Sequence, residues 1–190
     1  MKSLLTCACF GMVAAAFAAA PPAAEQPAAW VPHEVIVQYQ NLPVAYSCDA
    51  LWYKVGDILR AVGAWRYVSI TPRDCKPQTQ NNGLSPTLSV HFLALEKLGP
   101  SEARWAQTRA VVQAVDLRAG TPKSLGSGDC ELLRQTNEDL LSLLSDEVQV
   151  VSNNLQCGSQ ASARNYDLAV RALEAAPATA TLAARPSAGR

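Results

Sequence analysis

Past the first eighteen residues the chain has four cysteines, and they fall into two pairs with the same step. Cys48 to Cys75 and Cys130 to Cys157 each span 27 positions, and the pairs are offset by 82. A spacing used twice constrains the fold more than any local motif, because a duplicated unit must build both halves alike. Sliding the chain by 82 places Ser47-Cys48-Asp49 on Asp129-Cys130-Glu131. Each reads as a helix start, with Ser47 or Asp129 as N-cap and an acid in the first turn. Leu51, Ile58, Leu59 and Val62 then fall on Leu133, Leu140, Leu141 and Leu144, at helical spacing on one face. Val55 falls on Asn137, the one clear mismatch. The first helix should end near Gly63 and the second near Ser145.

The segments around the helices agree too. Trp65 to Thr71 and Glu147 to Asn153 read as short strands after each helix. Ser89 to Glu96 matches Asp167 to Glu174 once a four-residue shift in the loop is allowed. Residues 166–174 favour a helix by composition, but their match to the alternating segment 88–96 selects a strand. Before the helices lie Glu34 to Gln40, with Val35, Val37 and Tyr39 on one face, and Arg109 to Leu117, with Val111, Val115 and Leu117 on one face. The order is strand–helix–strand–strand, twice.

The expected fold is therefore α+β: a tandem βαββ repeat, residues 30–100 and 101–176, forming a mixed sheet of about six strands with two helices on one face. Helix-linked strands should run parallel through a right-handed crossover, with the third strand antiparallel. One continuous sheet and two small ones are both compatible with this order. Four cysteines allow three connectivities, and shared folds select Cys48–Cys75 and Cys130–Cys157. Each closed loop stabilises by about 3–4 kcal/mol in the chain-entropy model. A cysteine-ligated metal is not expected, because no close cysteine pair and no histidine cluster is present.

The ends lie outside this unit. Met1-Lys2 and the apolar run Leu4 to Ala16 have signal-peptide length, shorter than a membrane span. Ala16-Phe17-Ala18 offers a cleavage site, giving a signal peptide over 1–18 that carries Cys7 and Cys9 away. Residues 19–29 read as a Pro/Ala linker, and 177–190 as a disordered tail. No second apolar stretch is long enough to span a membrane.

Charge narrows the partners. Sixteen Lys+Arg balance sixteen Asp+Glu, which removes the electrostatic case for nucleic acid and for an anionic membrane surface. Catalytic motifs are missing: there is no Gly-x-Ser-x-Gly and no Ser-x-x-Lys. The loop Gly120 to Gly128 lacks the P-loop spacing and reads as a turn before an N-cap. Glu131, Glu138 and Asp139 read as a solvated helix face. The two histidines are His33, at the start of the first strand, and His91, on the face opposite Val90 and Phe92.

Six of the nine Trp and Tyr residues lie between 39 and 67. Trp52 sits at the edge of the first helix's buried stripe and Tyr53 near its polar face. The second repeat has Arg134 and Gln135 there, so the fold does not itself require aromatics. Trp52, Tyr53, Trp65 and Tyr67 are the candidate partner-binding residues, since exposed aromatics supply contact area for proteins or glycans. Leu93 and Leu95 lie opposite Val90 and Phe92, so that strand is apolar on both faces and needs a covering loop or a partner.

The stretches Tyr46-Ser47-Cys48-Asp49-Ala50-Leu51-Trp52-Tyr53-Lys54 and Gly128-Asp129-Cys130-Glu131-Leu132-Leu133-Arg134-Gln135 resemble small uncharacterised exported proteins of Gram-negative bacteria. The resemblance implies a periplasmic or secreted setting and transfers no catalytic residue. The expectation is an exported, non-enzymatic binding protein without cofactor or metal, its partner an envelope protein or a glycan. The alternatives are a small periplasmic hydrolase using His91, and a homodimeric structural component of the envelope.

Overall fold

The structure is a computed structural model that describes residues 24–44, 46–73, 85–144, 148–158 and 165–177. Its strands are β1 (Gln26–Gln38), β2 (Ser69–Pro72), β3 (Thr87–Lys97), β4 (Thr108–Arg118), β5 (Gln149–Asn154) and β6 (Asp167–Ala175). Helix α1 (Cys48–Ala61) follows β1, and α2 (Cys130–Asp139) follows β4. Among the described residues no helix is long and apolar enough to cross a membrane.

The strands form one six-stranded sheet in the order β2-β3-β1-β4-β6-β5. Every neighbouring pair is antiparallel, which corrects the expected mixed sheet. β1 and β2 do share a direction, as a helical crossover demands, but β3 slots between them and separates the parallel pair. β6 does the same between β4 and β5. Residues 167–175 are a strand despite their helix-favouring composition, because β6 is flanked on both sides and its Leu168, Val170 and Ala172 face the core.

Both helices pack with the sheet in a single hydrophobic cluster. Helix α1 buries Leu51, Val55, Ile58 and Leu59. In the second half Leu133, Leu140, Leu141 and Leu144 are all buried, in the expected phase. Strand residues at alternate positions complete the core: Val37, Leu88, Val90, Phe92, Leu117, Leu168 and Val170. Among the described residues the helices cover one face of the sheet and much of the other is exposed, as alternation in antiparallel strands allows, although Ser89 and Leu95 on it are buried.

Local chemistry sets the helix ends, with two departures. Ser47 caps α1, its Oγ accepting from the Ala50 N–H at 3.1 Å, and the helix ends before Gly63 at φ +90. Asp129 precedes α2 but makes no side-chain cap bond; its carboxylate is drawn to longer-range donors described below. Helix α2 ends at Asp139, short of Ser145, and a 3-10 turn over Leu141–Leu144 continues the chain. The Ser142 hydroxyl donates to the Glu138 carbonyl there, a bond that competes with the helical ladder.

At the N-terminal side β1 begins at Gln26 and not at Glu34, so part of the expected linker is strand. Gln26–Ala28 pair with Thr108–Ala110, which is the whole β1–β4 contact. Pro27 is tolerated here because its carbonyl turns away from β4, accepting from the Leu98 N–H just past the end of β3 at 3.0 Å, so the N–H that proline lacks is not needed by the β4 ladder. Past this crossing the strands diverge and the sheet curls until β3 and β6 touch. A second small cluster fills the waist: Ala28, Leu95, Ala110 and Leu173, with Trp30 against it. Leu95 therefore finds cover inside the sheet's own curl.

Cys130 and Cys157 form a disulfide, Cα atoms 5.5 Å apart, tying the start of α2 to the loop after β5. Cys48 is disulfide-bonded as well. Its expected partner Cys75 lies outside the described residues, as do the expected signal peptide and residues 178–190 of the tail.

Candidate binding site

Polar chemistry concentrates in two places, one inside the molecule and one on the open face of the sheet. Inside, Asp129 is 3% exposed. Its carboxylate accepts from the Tyr46 hydroxyl, from Lys54 Nζ at 2.5 Å and from the Gly126 N–H at 2.5 Å. Lys54 Nζ also donates to the Ser124 carbonyl, and the Tyr166 hydroxyl donates to the Gly126 carbonyl at 2.7 Å. Tyr46 and Lys54 come from the first half, the loop and Asp129 from the second. A second clasp joins the halves nearby: Gln40 N–H donates to Gln135 Oε1 at 2.8 Å, and Gln135 Nε2 donates back to the Gln40 carbonyl at 2.6 Å. The donors that converge on Asp129 are thus supplied by both halves, and this cluster joins them; the buried Ser124 hydroxyl beside it has no hydrogen-bond partner among the described residues.

Three tyrosines are held neutral by this interior. Tyr39 is pushed up from the usual phenol value by burial. Tyr46 is pushed up by burial and by its hydrogen bond to the Asp129 carboxylate, and Tyr166 by burial and the Asp129 charge. A group with a raised folded pKa keeps its proton where the unfolded chain releases one, so its stabilisation is full below the unfolded value and fades as pH rises beyond it. Folding stability should therefore decline from pH about 10 upward. The phenolate absorbance of these three residues should appear together with unfolding. Denaturant titrations at rising pH check this; phenolate formation by all five tyrosines while the chain stays folded would contradict it.

On α2, Arg134 is gripped by Glu131 on one side and Glu138 on the other, at 2.5 to 3.0 Å. The Arg134 guanidinium holds the Glu131 carboxyl below the usual carboxylate value. Glu131 and Glu138 are thus ion-paired through Arg134, where the sequence reads a solvated face.

Among the described residues two recesses lie on the open face. The first, about 490 Å³, is lined by Pro32, Glu34, Tyr67, Ser69, His91 and Leu93, among others. Glu34 on β1 and Ser69 on β2 are both the register partners of His91 on β3. The second, about 390 Å³, includes Asp116, Ser152 and Ala169 in its lining. Here Asp116 on β4 and Ser152 on β5 are both the register partners of Ala169 on β6. The recesses occupy the same place in the two three-stranded ladders. An acid and a serine flank the middle strand in each, and a histidine is present in the first only.

At His91, the Ser89 hydroxyl lies 3.3 Å and Glu34 Oε1 3.7 Å from the same ring nitrogen, Nε2. A serine relay needs the acid on one ring nitrogen and the hydroxyl on the other. Ser89 is also 3% exposed, without room for a substrate carbonyl. Here the hydroxyl and the acid share one ring nitrogen of His91. His33 lies on the opposite face, stacked on Phe92 and 3.6 Å from Glu96.

The four aromatic candidates do not gather into one patch. Trp52 and Tyr53 are on α1, on the helical side, where Trp52 Nε1 donates to Asp49 at 3.2 Å. Trp65 is half-buried edge-on against Trp30, ring centroids 4.7 Å apart, so it serves the waist of the sheet. Tyr67 alone borders the first recess; it is 68% exposed, with the Arg66 guanidinium over its ring at 4.7 Å. Glu34 and Ser69 were not singled out in the sequence. Glu34 alternates with buried Val35 and Val37, a signal that it faces outward, but only the register places it beside His91. Among the described residues no group of three or more His, Cys, Asp or Glu is arranged to hold a metal ion.

These features define a disulfide-bonded α+β protein with one helix-covered and one open sheet face. No family model matches the chain, and no curated protein or solved structure matches it.

Proposed function

We propose that this is an exported, disulfide-stapled binding protein, built by duplication of a βαββ unit, that engages its partner through the open face of the sheet. The observation that carries the reading is the pair of recesses at equivalent ladder positions. The duplication is supported by the central pairing of the sheet: Pro27 lies opposite Arg109, residues separated by the same offset of 82 as the cysteine pairs. It also pairs Cys48 with Cys75, by analogy with Cys130–Cys157. The leader-like start of the chain and the disulfides support export to an oxidising compartment, and the resemblance to exported proteins of Gram-negative bacteria makes the periplasm the first place to look. The donors around Asp129 join the halves in the interior, whereas the recesses lie on the open face.

The test is photo-crosslinking in intact cells. A photoreactive residue at Ile36 or Tyr67, both on the open side, should give adducts with a partner, protein or glycan. The same group at Leu143, exposed on the helical side, should not. Adducts from Leu143 alone, or from none of the three positions, would overturn the reading.

A further inference from the structure

Resting on that reading, we propose that the recess bounded by Tyr67, Glu34, Ser69 and His91 is a binding site for a neutral saccharide. Its volume of about 490 Å³ falls in the range of small-ligand sites, about 300–1,000 Å³. Its lining mixes apolar residues, Pro32 and Leu93 among them, with the polar Glu34, Ser69 and His91. Glu34 can only accept from a ligand hydroxyl, whereas the Ser69 hydroxyl and the His91 ring can each donate or accept. That combination fits ring hydroxyls, which both donate and accept, more closely than it fits an apolar protein anchor.

Charge narrows the ligand further. An anion would meet the Glu34 carboxylate, which stands 3.7 Å from His91 Nε2. A cation seeking the Tyr67 ring would find the Arg66 guanidinium already over it. What remains is an uncharged ring whose C–H face can lie along the exposed part of Tyr67 while its hydroxyls reach Glu34, Ser69 and His91. The second half supplies an internal contrast. At the equivalent place Ala169 replaces His91, and Asp116 and Arg118 line the recess. The two recesses therefore share an acid and a serine beside the middle strand, and what the first adds is His91 and the exposed ring of Tyr67.

The experiment is a titration of the isotopically labelled protein, followed by amide chemical shifts, with cellotriose and with the β-1,4-linked trimer of N-acetylglucosamine as probes. At least one sugar should shift the amides of Tyr67, Ser69, His91 and Leu93 in a saturable way. Tyr67→Ala should weaken that binding at least tenfold and Glu34→Gln severalfold, while Leu143→Ala leaves it unchanged. Absence of saturable shifts with both sugars, or equal affinity in Tyr67→Ala, would overturn the saccharide proposal. That failure is separable from failure of the binding reading: a protein adduct from Tyr67 in the crosslinking experiment, without sugar binding, overturns the saccharide and leaves the open face as an interface. Tyr67 is exposed, so its alanine variant should keep its fold; an unchanged amide spectrum away from the recess verifies this.

Discussion

Asp129→Ala is expected to destabilise the folded chain by about 3–5 kcal/mol, the usual range for removing one partner of a buried ion pair. The carboxylate is the shared acceptor of three donors that converge from separate segments: the Tyr46 hydroxyl, the Lys54 ammonium and the Gly126 N–H. Removing it leaves the ammonium with one described acceptor, the Ser124 carbonyl, and strips the other two donors of theirs. Asparagine should do little better. Its carbonyl can serve one donor, but its amide turns N–H groups toward the rest, so Asp129→Asn should fall within about 1 kcal/mol of Asp129→Ala. Lys54→Met added to Asp129→Ala should recover a good part of the loss, because the uncompensated buried charge is then gone. Urea unfolding of the singles and the double closes a cycle whose expected coupling is above about 2 kcal/mol. A cost for Asp129→Ala below about 1 kcal/mol would show that the halves do not depend on this cluster.

This cluster marks the limit of what the sequence discloses. Local signals read well: Ser47 caps α1, Gly63 stops it, and the phase of Leu133, Leu140, Leu141 and Leu144 is the phase of the buried face. All of these depend on neighbours within a few residues. Asp129 has the same local signature as Ser47, a capping residue before a cysteine, yet its partners are 75 and 83 residues away. Nothing local distinguishes a carboxylate that caps from one recruited by a distant lysine. Strand order is hidden for the same reason. Helical crossovers fix the relative direction of β1 and β2 but not which strand comes between them, and that insertion turns the sheet wholly antiparallel. The candidate site was legible in part. Tyr67 and the outward face of His91 follow from composition and alternation, whereas Glu34 and Ser69 join them only through pairing register. Pro27 and Ala28 look like linker because proline and alanine favour no strand, and the crossing of β1 and β4 uses them for their small bulk.

The waist also sets the second large effect. Gly63→Ala is expected to cost about 3–5 kcal/mol, from two independent sources. At φ +90 an L-residue is in the left-handed region, which costs alanine roughly 1–2 kcal/mol relative to glycine. In addition, a Cβ there would stand 2.1 Å from the carbonyl oxygen of Leu173. That oxygen belongs to the backbone of β6, whose Leu173 pairs with β4 and packs in the waist with Ala28, Leu95 and Ala110. It cannot swing aside as a flexible side chain would, so relief requires moving a strand or the end of α1, at a further 1–3 kcal/mol or so. Gly120 supplies the control. Its φ is +82, but a Cβ there meets nothing within 4 Å, so Gly120→Ala should show the backbone term alone, about 1–2 kcal/mol. The difference between the two variants in urea unfolding isolates the close approach of the α1 end to β6. If Gly63→Ala and Gly120→Ala lose the same stability, the contact between the end of α1 and β6 does not constrain position 63. If Gly63→Ala loses more, the crossing of the two halves depends on this one glycine as it does on Asp129.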